Sequence, residues 1–147
     1  MKTINRFNKM KTLVASLLVV TTVCLGMFSS AFAGNTTDTN YQFHNTNIRG
    51  TTEGRPKNDT TKVYVHPTSG PALTYSVRGA NNANGDGVIV VSGSFTIYNG
   101  TQASITNRVY EEGKPYAQLH FERTVYADAW THGVWSPDST RNYTVYG

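Results

Sequence analysis

The chain has a single cysteine, Cys24, in 147 residues. Lys2, Arg6, Lys9 and Lys11 precede an uncharged run over residues 12–28, and small residues follow at Ala31 and Ala33. A basic start, an apolar middle and an A-x-A exit read as a secretory signal over residues 1–33. The run is shorter than the ~20 residues that a membrane span needs. Thr22 and Val23 are not the small residues that a lipidation site wants ahead of Cys24. The cysteine therefore leaves with the signal. The expected mature chain, residues 34–147, has no disulfide, no thiolate nucleophile and no cysteine-bound metal.

Excess charge is the second absence. Four of the thirteen lysines and arginines lie in the signal, which leaves nine against nine acidic residues. The basic pI thus belongs to the signal. A neutral domain without a basic cluster offers no electrostatic footprint for nucleic acid or an anionic membrane. Its length suits one domain, opened by a polar tail, "GNTTDTN", at residues 34–40.

Leucine is the third scarcity. Beyond the signal only Leu73 and Leu119 occur, while Thr, Tyr, Val, Asn and Gly abound. Such a composition suits pleated, half-buried surfaces, and no window sustains helical spacing of apolar residues. The expectation is an all-β fold. Ile89, Val91, Phe95 and Ile97 alternate with polar residues. Three-residue loops at 98–100 and 111–113, each closed by a glycine, would keep one apolar face through Ala103, Ile105, Ala117, Leu119, Phe121, Val125 and Ala127. The spacing predicts a C-terminal antiparallel meander near residues 88–97, 101–110 and 114–127. Arg123 interrupts its apolar face and needs a carboxylate partner or an edge position. With no helix to cover that face, a second sheet must. Its candidate strands are 41–48, 62–66, 72–78 and the C-terminal "STRNYTVYG". An antiparallel β-sandwich of about seven strands results, with a small β-barrel as the alternative.

Catalytic patterns are also missing. The four histidines, His44, His66, His120 and His132, form no H-x-H or H-x-x-x-H pair. His120 falls on the polar face of its strand and reads as a surface residue. No serine sits in a nucleophile elbow. Glu111 and Glu112 share a hairpin tip and cannot face one another across a cleft. Asn82, Asn84 and Asp86, followed by Gly87, resemble the start of a calcium loop. Only Asp86 is charged, however, and Gly93 stands where a closing carboxylate belongs. No enzyme, cofactor or metal is expected, and whether residues 82–87 take a cation stays open.

Aromatic residues are plentiful. Tyr98, Tyr110, Tyr116 and Tyr126 fall near strand ends, and Trp130 and Trp135 bracket "THGV". Exposed Tyr and Trp present flat amphipathic surface to sugars or proteins. These six residues are the candidate binding surface, for an unidentified cell-surface, carbohydrate or protein partner.

Two segments carry a resemblance: "GRPKNDTTKVYV" at residues 54–65 and "GVWSPDS" at 133–139. With the signal and the Asn/Gly-rich middle, they make the chain resemble a family of small exported Gram-positive bacterial proteins classed as a domain of unknown function. The resemblance implies a secreted, non-enzymatic product. More weakly, the chain is similar to lactococcin-type bacteriocins, which are small, cysteine-free and β-rich. The expected function is binding at the cell surface or in the medium, with a bacteriocin-like toxin as the alternative.

Overall fold

A computed structural model describes residues 35–141 and 143–147. The expected secretory signal, residues 1–33, lies outside the described residues. Within them, regular structure is all strand. Chain order is β1 (Thr39–His44), β2 (Arg49–Thr51), β3 (Arg55–Pro56), β4 (Val63–Ser69), β5 (Leu73–Ala80) and β6 (Ile89–Val90). There follow β7 (Phe95–Ile97), β8 (Ala103–Ile105), β9 (Tyr116–Arg123), β10 (Trp130–Ser136) and β11 (Thr144–Tyr146). The first sheet has the order β1-β10-β4-β8-β11. The second runs β2-β9-β5-β6, with β3 also on β9 and β7 also on β5. Neither sheet closes into a barrel, and the fold is an all-β sandwich. Every pairing is antiparallel except β11 on β8.

Inward alternation explains the core. Ile97, Ala103, Ile105, Ala117, Leu119 and Phe121 are all buried in one cluster, and Phe95 packs against it. Leu73, Tyr75 and Val77 from β5 meet Val63, Val65 and Trp135 from the first sheet in the same cluster. Burying each large apolar side chain contributes roughly 1.5–3 kcal/mol before the entropy cost of ordering it. At the β1 end, Phe121 stacks on Tyr41 at 5.4 Å and lies edge-on to Tyr75 at 6.1 Å. The Tyr41 and Tyr75 hydroxyls join across the sheets at 2.8 Å. Burial pushes both phenols well above the usual tyrosine range, so they remain donors.

The meander is corrected. Ile97 pairs with Leu73 and Phe95 with Tyr75, whereas Ala103 pairs with Val65 and Ile105 with Val63. Strands β7 and β8 therefore belong to facing sheets, and the loop between them crosses the sandwich. Gly100 does take the left-handed conformation, with φ 82°, and Thr101 donates to the Tyr98 carbonyl at 3.1 Å. Gly113 behaves alike, with φ 66°. The loop chemistry is that of a tight turn, but Gly100 N–H goes to the Pro67 carbonyl of β4. The alternation placed the side chains in the middle of this face inside, from Val91 to Phe121, but its two ends are wrong. Ile89 and Val125 are exposed and Ala127 is half-buried, because regular pairing of β6 and β9 stops there. Nor could alternation say whether the next strand lay beside or opposite.

Arg123 sits at the end of β9. Its Nη1 donates to the Thr46 carbonyl at 2.8 Å, and its guanidinium lies over the Tyr126 ring at 5.2 Å. That is an end position with a carbonyl, not a carboxylate, as partner. His120 is not a surface residue: β2 and β5 flank it and leave it 4% exposed.

Candidate binding surface

The outer face of the first sheet is built by β1, β10 and β4. Register sets His44 opposite Trp130, Gln42 opposite His132 and Val134 opposite His66. The Trp130 ring, half exposed, has the His44 ring at 4.6 Å and the His132 ring at 6.3 Å. His44 is fixed on both sides: Nδ1 shares a hydrogen with Thr46 Oγ1 at 2.6 Å, and Nε2 meets Asp128 at 3.1 Å. Beside His132 opens a depression of about 550 Å³ lined by Asn40, Gln42, Thr68 and Val134. Further along, Tyr64 is covered by Tyr143 at 5.5 Å and by the Arg141 guanidinium at 4.3 Å. Arg141 is in turn held by Asp38 at 2.9 Å. A flat aromatic platform next to exposed amides and a hydroxyl is what a polar, ring-shaped ligand needs.

The six candidate residues do not gather. Tyr98, Tyr110 and Tyr126 are exposed on separate loops, Tyr116 is half-buried at the start of β9, and Trp130 begins β10. Trp135 is 1% exposed and belongs to the core. Odd positions of β10 point inward, so Trp130 and Trp135, five residues apart, end on opposite faces. The imidazoles around Trp130 escaped notice because their spacing in sequence is irregular and only cross-strand register joins them.

A second cavity, about 440 Å³, opens between β1 and the β2–β3 segment. Tyr41, Phe121 and Trp135 form its floor, and Glu53 and Arg55 its rim. Arg55 is tied inward, donating to the Trp135 carbonyl at 3.1 Å and to Asn35 Oδ1 at 2.8 Å. Burial lowers the guanidinium pKa there, with Asp38 and Asp138 opposing the shift.

In the loop at residues 82–87, Asn82 and Asp86 are bonded to one another. Asp86 accepts from the Asn82 amide at 2.6 Å, and Lys114 Nζ donates to Asn81 Oδ1 and the Gly87 carbonyl. A lysine ammonium thus stands at the two ends of this loop. Among the described residues, no three His, Asp or Glu side chains group as metal ligands. No helix among them is long and apolar enough to cross a membrane.

The two segments that carried the resemblance meet in space. Lys57 and Asp138, both with fully buried side chains, touch at 2.5 Å. Lys57 Nζ also donates to the Thr61 carbonyl at 2.6 Å and reaches Asp59 at 3.5 Å. Asp138 Oδ2 accepts from the backbone N–H groups of Asn35 at 2.6 Å and Asn58 at 3.1 Å. Ser139 N–H closes the knot on Thr61 Oγ1. Residues 29–139 match the family described as protein of unknown function (DUF2712). The chain belongs to that family. The match ends at the last residue of this knot, so the family's span takes in both halves of it. No curated protein and no solved structure matches the chain.

Proposed function

We propose that this member of the family is a secreted, non-enzymatic binding protein that acts at the cell surface or in the medium. Its ligand-binding face is the outer face of the first sheet, and the ligand is a carbohydrate chain of the cell envelope. The observation that carries the reading is Trp130, half exposed between His44 and His132 and next to the depression lined by Asn40, Gln42 and Thr68. One sugar ring would stack on the indole while its neighbour's hydroxyls reach the amides. The balanced charge beyond residue 33 supports a neutral ligand over a polyanion. The basic, apolar, small-residue order of the first 33 residues supports export.

Retention of the purified protein on insoluble cell-wall polysaccharide tests this. Binding is expected, and Trp130→Ala is expected to weaken it by about tenfold or more, as loss of a central aromatic anchor does. No retention on any wall fraction would count against the reading. Inhibition of neighbouring bacteria by the purified protein would instead favour the bacteriocin-like alternative.

A further inference from the structure

The Lys57–Asp138 contact has more in place than an ion pair needs. Both side chains are shut off from water, where separate charges are costly. The carboxyl carbon of Asp138 lies next to the amine, because Oδ1 touches Nζ at 2.5 Å. The other oxygen, Oδ2, faces two backbone N–H groups, those of Asn35 and Asn58. Two such donors would hold a developing oxyanion. A second carboxylate, Asp59, reaches Nζ at 3.5 Å, on the same amine that Asp138 touches. Burial pushes the Asp59 carboxyl up. Hydrogen bonds from the Thr61 hydroxyl and amide and from Asp138, together with the Lys57 charge, outweigh burial and leave it below its ordinary range. It starts as a base.

We propose that Lys57 and Asp138 are joined by an intramolecular amide bond between Nζ and the Asp138 side-chain carbonyl carbon. Proton transfer within the buried pair gives a neutral amine and a neutral carboxylic acid. The nitrogen lone pair attacks the carbon, and Oδ2 takes the negative charge against the Asn35 and Asn58 amides. Asp59 accepts one proton from nitrogen and delivers it to the Oδ1 hydroxyl. The C–Oδ1 bond breaks, water leaves, and the carbonyl re-forms at Oδ2. One N–C bond replaces one C–O bond, one water is released, and no oxidant or reductant takes part. The product's single N–H keeps the Thr61 carbonyl as acceptor, and its oxygen keeps both backbone donors. The bond joins residues 81 apart in sequence. It ties the segment after β3, in the second sheet, to the segment after β10, in the first. A chain with one cysteine cannot make an internal disulfide. The amide gives a cross-link that does not depend on redox conditions.

Intact-mass spectrometry of the purified protein, with its N-terminus fixed by sequencing, tests the bond, and fragmentation of a tryptic digest locates it. The unsubstituted chain is expected to be lighter than its sequence by one water. Its digest is expected to contain a branched peptide linking Lys57 to Asp138, with no cleavage after Lys57. Lys57→Arg and Asp138→Ala are expected at their full sequence mass, and Asp59→Ala, which keeps both partners, at full mass or only partly converted. A full-mass unsubstituted chain with a free Lys57 peptide would overturn the proposal and leave an ordinary ion pair. So would a water loss that persists in Lys57→Arg, since closure at Asp86-Gly87 then accounts for it.

Discussion

The two outer faces of the sandwich differ in how they spend their polar groups. On the second sheet, Thr74 meets Thr96 at 3.2 Å, Thr51 meets His120 at 3.0 Å, and His120 meets Glu122 at 3.4 Å. Gln118 is buried and donates to the Thr52 carbonyl. Most polar groups of this face pair with one another, the buried Arg78 Nε being an exception. On the first sheet, Trp130 and His132 stay exposed, and so do Asn40, Gln42 and Thr68 around the depression. Both faces rest on the same core and have the same pleat. The difference therefore lies in the outward residues alone, and an exposed indole fenced by imidazoles is the part that stability does not require.

The largest expected effect strikes both faces at once. Trp135→Ala empties the core between them and is expected to cost about 3–5 kcal/mol in denaturant unfolding. Next comes Gly133→Ala. A Cβ there would lie 2.4 Å from the Tyr41 hydroxyl oxygen and 2.6 Å from the His66 carbonyl oxygen. Roughly 1–3 kcal/mol of destabilisation is expected, measured in the same way.

A smaller effect separates the faces by pH. Burial lowers the His120 pKa, the charge of Arg78 adds to this, and Glu122 opposes it. The folded state then holds the proton less tightly than the unfolded one. Stability from this group is complete above the ordinary histidine value of about 6.5 and is lost as pH falls below it toward the lowered folded pKa. Melting temperature should drop over that window in the unsubstituted protein, and His120→Gln should flatten the drop. The smallest effect on stability is expected from exposed Trp130→Ala and Thr96→Ala, each within ~0.5 kcal/mol. Only the first should reduce wall retention. Equal loss from both would erase the distinction between the faces.

Much of the core was legible before the fold. Period-two alternation put Ile97, Ile105, Leu119 and Phe121 inside, and all four are there. Strand partners were not legible, since alternation reports which side faces in and says nothing of which sheet a strand joins. Strand β10 was missed altogether. Its inward residues are Thr131, Gly133 and Trp135, so two of three lack an apolar signature, and a register shift interrupts it between His132 and Gly133. An outward strand position reads as solvated, but β9 is a central strand with β2 and β5 on either side of His120. The polar neighbours Thr51 and Glu122 bury it instead. The knot of Lys57 and Asp138 joins residues too far apart for any local pattern. Its two segments stood out only through resemblance. Of the aromatic set, the Trp130 platform emerged once register brought in His44 and His132.

Chemical-shift mapping of the isotope-labelled protein titrated with soluble cell-wall oligosaccharide tests the division of the two faces most directly. The expected shifts fall on the Trp130 indole N–H, the His44 and His132 rings, and the Asn40 and Gln42 amides, while Thr74, Thr96 and His120 stay still. Shifts confined to the second sheet, or none at saturating oligosaccharide, would contradict it.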